Sequence, residues 1–463
     1  MKKNLVFLPY RTENWLLIAK KLSSQLEKTS PANQSLLVDY SDYQYPVIQE
    51  FNAGHAKFMA SPFLYVRLGS REFEKQGDST IAAVTSQAIS IRGDWRGRVV
   101  NGLSKRERKY SEEGIRRISM SKANFDRIHF FVIPNGRFDL QVELAKLAAD
   151  LESEPLIRYY ETNVPGFAHN PLGPRFFFAD FPVHSRERLQ NALGQVDLSN
   201  INPEQVFQSW LEPRRKPLSS ANYFASRWSD ENSVSKNSNS QGRRLNLFLT
   251  SSTDEFVALG GEWDKDSWED QYEAFEKIIS KLKNQGEDNF AIRIHPNLAN
   301  KSIRFVREEI KRINWIRTLH PDLRVYGPLS NQNTYALIEN SQRIFVSLSM
   351  AGLEASGLGV PVWHTMANNY DMSADVKPLL SERQLEIDTL EPWNVDQSKA
   401  HRYVASALLF GVPYENSSPP STHVTVFQKF KASGYRDADF RFVFLMERLR
   451  SRLLAQRLLR RGT

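Results

Sequence analysis

The segment Ser347-Leu348-Ser349-Met350-Ala351-Gly352-Leu353-Glu354-Ala355 places two hydroxyls, several small residues and one carboxylate within a few positions of each other. A helix starting near Ala351 leaves its first amide hydrogens without intrahelical acceptors and turns the positive end of its dipole outward. That setting suits a phosphate or diphosphate. Ser349 would cap such a helix or hydrogen-bond the anion, and the small residues, Gly352 among them, let a ligand approach. Glu354 then lies one turn in, where a carboxylate can accept hydrogen bonds from ribose hydroxyls. The residues alone leave a plainer reading open as well. Ser349 is also what an ordinary N-cap looks like, and Gly359-Val360-Pro361 is an ordinary turn from helix to strand.

A second group, Arg293-Ile294-His295-Pro296-Asn297, places a cation and an imidazole at the end of an apolar run, with proline fixing the exit. Both could neutralise a phosphate as charge develops on it. A lone histidine is more often structural, so His295 is a candidate through its position rather than its type. Two Asp-x-Asp patterns, Asp264-Lys265-Asp266 and Asp437-Ala438-Asp439, do not directly follow an apolar run, and read as a helix cap and a solvated loop. Nothing in these groups calls for a metal or an organic cofactor. The chain has no cysteine, which excludes disulfides, thiolate metal sites and a cysteine nucleophile.

The elements that must position these groups are strands alternating with helices. Strands are expected at 245–250, 290–294, 324–326, 343–347 and 360–364, with helices at 268–284, 303–319, 334–340 and 351–358. This alternation predicts a doubly wound α/β domain, in which ligands bind beyond the carboxyl ends of the strands. The polar or small residues after those strands, among them Thr250-Ser251-Ser252, would then face one site. Upstream, Ile128 to Ile133 and Leu156 to Tyr160 read as strands around a helix over Leu140 to Leu151, and Asn4 to Leu8 reads as a first buried strand, giving a second α/β domain. Between the two, Ser229 to Gln241 contains one aliphatic residue and reads as a linker or long mobile loop. The expected divisions are 1–228, 229–243, 244–400 and a helical region at 401–463.

Length supports two domains, since 463 residues exceed what one core usually serves. No stretch is long and apolar enough to span a bilayer, and the basic start Met1-Lys2-Lys3 precedes too short an apolar run for a signal peptide, so a cytoplasmic location is expected. The formal charge of +8 is concentrated: residues 441–463 carry seven arginines against Glu447, leaving about +2 for the rest. That distribution argues against a nucleic-acid partner, which would meet a basic folded face. In the tail, Phe442, Leu445, Met446, Leu449, Leu453, Leu454 and Leu458 recur at helical spacing, giving an amphipathic basic helix. Its partner is either the anionic surface of the inner membrane, making the protein peripheral there, or an apolar face of protein.

The residues also carry a resemblance. Ile292-Arg293-Ile294-His295-Pro296-Asn297, Tyr326-Gly327-Pro328, Asn333-Thr334-Tyr335-Ala336-Leu337-Ile338 and the Ser347 to Ala355 segment with Gly359-Val360-Pro361-Val362 resemble, in order and spacing, the C-terminal domain of bacterial capsule polysaccharide biosynthesis glycosyltransferases of the GT-B fold. More loosely, the His-Pro and paired-serine pattern is similar to that of CMP-sugar transferases and teichoic-acid polymerases. Ile133-Pro134-Asn135-Gly136-Arg137-Phe138 and Tyr159-Tyr160-Glu161-Thr162 are similar to that family's Asn-Gly-Arg and Tyr-Glu elements. The likeness covers 128–190 and 245–375, and departs from the usual pattern at Leu348 and Met350. It implies two Rossmann-like domains facing a cleft, with a nucleotide-sugar donor on the second and a glycan or lipid-linked acceptor on the first. His295, Ser347 and Ser349 would meet the donor phosphate, with Arg293 and Gly352 beside them, and Glu354 the ribose or sugar. The base for the acceptor hydroxyl would come from the first domain, with Glu161, Asp139 and His184 as candidates. Glu161 leads because it follows a strand, while an ion pair with Arg137 or Arg158 is the structural alternative. Two other functions fit the same pattern: transfer of a polyol phosphate from a CDP-linked donor, and a non-catalytic nucleotide-sugar-binding subunit.

Overall fold

Short apolar runs closed by polar turns build two separate sheets. The computed structural model describes residues 3–8, 13–29, 34–39, 64–67, 128–134, 154–215, 245–251, 268–298, 303–330 and 332–414, apart from single positions within these ranges, together with 145, 148 and 149. In chain order its elements are β1 (Lys3–Leu8), α1 (Glu13–Thr29), β2 (Gln34–Asp39), β3 (Leu64–Arg67), β4 (Ile128–Pro134), β5 (Leu156–Glu161), β6 (Arg175–Ala179), α2 (Arg186–Gly194) and α3 (Pro203–Arg215). They continue with β7 (Leu245–Leu249), α4 (Gln271–Asn284), β8 (Phe290–Arg293), α5 (Ile303–Leu319), β9 (Arg324–Tyr326), α6 (Thr334–Glu339) and β10 (Ser341–Val346). The last are α7 (Met350–Gly357), β11 (Val362–His364), β12 (Lys377–Pro378), α8 (Glu382–Ile387), α9 (Gln397–Leu409) and β13 (Val412–Pro413). The expected linker at 229–243 and basic helix at 441–463 lie outside the described residues, as does most of the helix expected at 140–151.

The chain forms two α/β units, one from β1 to α2 together with β13, the other from α3 to α9 as far as Ser406. The first unit's sheet runs β13-β6-β5-β4-β1-β2-β3. Its strands from β3 to β5 are parallel, and β6 and β13 join antiparallel at one edge. Ile18, Leu22 and Leu26 of α1 repeat every fourth residue, so one face of the helix is buried in a core with Val6, Val132, Tyr160 and Phe176. The closing edge depends on Gly411. Its φ of +94° belongs to the left-handed region, and an added Cβ would collide with the Phe176 carbonyl oxygen. Arg175 secures this return by donating from Nη1 to the carbonyls of Leu409 at 2.7 Å and Gly411 at 3.0 Å.

The second unit's sheet, β12-β11-β10-β7-β8-β9, is parallel throughout. Parallel strands covered on both faces read as continuous apolar runs, and all five residues of β7 are buried. Phe248, Phe345 and Trp363 stack across three neighbouring strands with ring centroids 4.8 and 5.3 Å apart. The expected helix at Trp268 starts instead at Gln271, because Asp270 is the cap: its carboxylate accepts from the amides of Tyr272 and Glu273. In both sheets the chain visits one side of the first strand and then the other, leaving a point where consecutive loops diverge. In the second unit that point lies between β7 and β10.

One buried polar network crosses the opposite, amino end of this sheet. Arg343 donates from Nη1 to Glu287 at 2.7 Å and to the Asn246 amide oxygen at 3.1 Å, and from Nε to the Leu390 carbonyl at 2.6 Å. Burial acts to raise the Glu287 pKa, but the hydrogen bonds from Arg343, Asn246 and Gln342 outweigh it and hold the group below its ordinary 4.5. A carboxyl depressed by folding stabilises the fold above its unfolded pKa and loses that contribution as pH falls through the folded value. Glu287→Gln should therefore be less stable than the parent at neutral pH and flatter in its unfolding midpoint below about pH 4.5. An unchanged acid limb in the variant would show that Glu287 contributes nothing to it.

Candidate functional site

The two residues that follow β7 organise the carboxyl end of the second sheet. Thr250 Oγ1 accepts a hydrogen bond from the His295 amide at 2.8 Å, fixing the loop that leaves β8. Ser251 Oγ accepts one from the Leu348 amide at 2.8 Å, fixing the loop that leaves β10. Gln271, the first residue of α4, clamps Ser251 in turn, accepting from its amide at 2.9 Å and donating to its carbonyl at 3.0 Å. The hydroxyls after β7 thus place the backbones on both sides of the divergence point.

The β10 loop is fixed from its far side as well. Asn368 Nδ2 donates to the Ser347 carbonyl at 2.9 Å, and the Tyr370 hydroxyl donates to the Ser349 carbonyl at 2.6 Å. Ser349 caps α7 through a 3.3 Å bond from the Ala351 amide. That length is beyond the usual optimum, so an anion could compete for the amide at small cost. Ser347 is 0% exposed. Its hydroxyl has no hydrogen-bond partner among the described residues. Gly352 is required by packing: an added Cβ would collide with the Tyr370 hydroxyl and lie 3.0 Å from Val346 Cγ2. His295, Ser349, Met350 and Ala351 are partly exposed, so the surface at these strand ends is formed by an imidazole, a hydroxyl and the first residues of α7.

Two charged residues predicted for this site are buried beneath it. Arg293 is 2% exposed. It donates from Nε to Thr334 Oγ1 at 3.2 Å and from Nη1 to the Gly327 carbonyl, tying β8 to the loop after β9. Burial pushes its pKa down to about 10. Glu354 is 3% exposed. Its Oε1 accepts from Arg214 Nε at 2.7 Å and Nη2 at 2.6 Å. The Tyr335 hydroxyl hydrogen-bonds with both partners. Burial alone would lower the Arg214 pKa, but the Glu354 carboxylate and Tyr335 together hold it above its ordinary value. Burial first, and the charge of Glu354 second, push the Tyr335 hydroxyl well up.

The candidates on the first unit are differently placed. Glu161 ends β5, half-buried, and its carboxylate accepts from the Thr162 amide at 2.8 Å and hydroxyl at 3.1 Å. Arg158 donates to the Ile157 carbonyl and lies 5.7 Å over the Phe130 ring. His184 is half-buried in the turn before α2, and Asp139 lies outside the described residues. Sequence reading did not single out Arg214, Gln271, Asn368 or Tyr370, and it quoted Tyr335 only within the Asn333 to Ile338 motif, without a role. The one local signal for Arg214 is its spacing of four from Trp210, whose ring it covers at 4.7 Å. Among the described residues no cluster of acids and histidines could hold a metal ion, and no helix is long and apolar enough to cross a membrane.

No family model matches the chain, and no curated protein matches it in sequence. Among solved structures it is similar to a Thermosulfurimonas dismutans KpsC beta Kdo 2,4 transferase, at 13% identity and a TM-score of 0.36, over 60% of this chain and 78% of that one. A beta Kdo 2,7 transferase KpsC from the same organism matches at 12% identity and TM-score 0.36, over 70% and 90% of the two chains. Methanocaldococcus jannaschii UDP-GlcNAc 2-epimerase, solved with UDP-GlcNAc and UDP, matches at 12% identity and TM-score 0.31, over 94% and 100%.

The contact at Gly352 yields a direct test. Gly352→Ala should lower unfolding stability by about 1–3 kcal/mol through overpacking. In a Tyr370→Phe background, where the colliding hydroxyl is gone, the same change should cost much less. Chemical denaturation of the four proteins decides it, and an equal loss in both backgrounds would remove Tyr370 from the explanation.

Proposed function

We propose that the second unit holds a nucleotide-linked sugar beyond the carboxyl ends of β7, β8 and β10, and that the protein transfers this sugar to a growing surface glycan such as capsule or lipopolysaccharide. The observation that supports this most is the divergence point between β7 and β10: a weakly capped helix N-terminus, the buried Ser347 hydroxyl, and the partly exposed His295 whose backbone is held by Thr250. Helix amides and an imidazole can meet a diphosphate without a metal. Arg293 and Glu354 would serve the same site from within, Arg293 by tying β8 to the loop after β9 and Glu354 by tying α7 to α3 and α6.

Transfer breaks the bond between the anomeric carbon and the donor phosphate oxygen, which leaves with the electron pair. The acceptor hydroxyl oxygen forms the new bond, and its proton passes to a base. Glu161 is the proposed base, with Asp139 and His184 as the other candidates; at the end of a strand, Glu161 already accepts two hydrogen bonds that orient its carboxylate. A glycan or lipid-linked acceptor would be carried by the first unit, and residues 441–463 would bring the protein to the inner-membrane surface.

Thermal unfolding with a panel of UDP, GDP, CDP and CMP is the first measurement. A nucleotide at one hundred times its Kd should stabilise the fold by about 2.7 kcal/mol, and His295→Ala should abolish the shift. A His295→Ala protein that keeps the full shift would mean the donor site is elsewhere. With the donor sugar known, Glu161→Gln should lower kcat by about two to four orders of magnitude while leaving the nucleotide shift intact. Release of CMP with a polyol phosphate retained on the acceptor would replace sugar transfer with polyol-phosphate transfer. Nucleotide binding without turnover on any acceptor would leave a binding subunit.

A further inference from the structure

We propose that Arg214 of α3, acting through Glu354 and Tyr335, is a positioning residue that sets the nucleotide-binding end of α7. This rests on the donor site proposed above. Glu354 lies on α7 and Tyr335 on α6, while Arg214 lies 140 positions before Glu354, upstream of the polar stretch that precedes β7. Two nitrogens of one guanidinium converge on a single carboxylate oxygen, at 2.7 and 2.6 Å. Such a fork has a defined direction, which an apolar contact lacks. α3 meets α7 a second time at the last residue of α7, where the Phe207 ring occupies the space a side chain at Gly357 would need. The two contacts hold the second half of α7, from Glu354 to Gly357, leaving its first turn to face the anion.

Stability alone does not account for the pair. Burying both charges takes each out of water, and well-packed apolar residues of similar volume are often as stable or more so. Removing one partner is a different matter, because it strands a buried charge. What the pair supplies beyond packing is a fixed orientation between α3, α6 and α7, and that is the property a site made of helix amides requires. The two roles can therefore be separated by replacing the whole polar group at once.

The test uses the full chain carrying Arg214→Met, Tyr335→Phe and Glu354→Leu together, which leaves no stranded charge, and reads thermal midpoint and affinity for UDP, GDP, CDP and CMP side by side. The expected result is a midpoint equal to or above the parent's with affinity at least tenfold weaker for whichever nucleotide the parent binds. Arg214→Lys is the second arm. It keeps the charge but not the fork, so it should fold and bind several-fold more weakly, and it carries the test if the triple variant does not fold. Parental affinity in a folded triple variant, or in Arg214→Lys, overturns the positioning role and leaves the donor site standing. A parent that binds none of the four nucleotides removes the donor site, and this role with it.

Discussion

Two hydroxyls after β7 bear on nearly everything else at the carboxyl end of the second sheet. In a parallel sheet the ladder bonds end where the strands end, and each exit loop must find its own support. Thr250 and Ser251 extend that support by one residue on either side, reaching the backbone amides of His295 and Leu348. Loops from strands on opposite sides of β7 are thereby referenced to one point. Without such references, the imidazole after β8 and the helix start after β10 would be held only through their outer neighbours, and a ligand touching both would have more ordering to do.

The alternation of elements in the second unit was legible because strand and helix periods differ strongly, and apolar runs such as Leu245 to Leu249 are too short to be helices. Boundaries were less so. The helix expected from Trp268 begins at Gln271 since Asp270 wins the competition for the first amides, an effect a few residues wide. Residue type made the strand ends the candidates for chemistry, yet type does not encode depth. His295 and Ser349 reach the surface, whereas Arg293 and Glu354 lie under it, and nothing local distinguishes the two pairs.

Long-range partners were the least readable part. Arg214 meets Glu354 across most of the second unit's chain length, so its role depends on how α3 folds back and not on its neighbours in sequence. The same holds for Asn368 and Tyr370, which lie in a loop well past the β10 exit but donate to the Ser347 and Ser349 carbonyls. These residues hold the β10 exit by satisfying its backbone, and backbone acceptors leave no trace in composition.

The antiparallel return of β13 gives the first unit a dependence on residues far from the rest of it. β6 is Arg175-Phe176-Phe177-Phe178-Ala179, and β13 pairs with its first two residues, Arg175 and Phe176, on the outer side. Any truncation or cleavage placed before Ala407 would strip that pairing and leave the amides and carbonyls at the start of this phenylalanine-rich edge strand without partners in β13. Such an edge is a template for intermolecular strand pairing. The first unit is thus a poor candidate for production as a simple N-terminal fragment; a soluble version would carry residues 407–414 on a linker, or a charge built into β6.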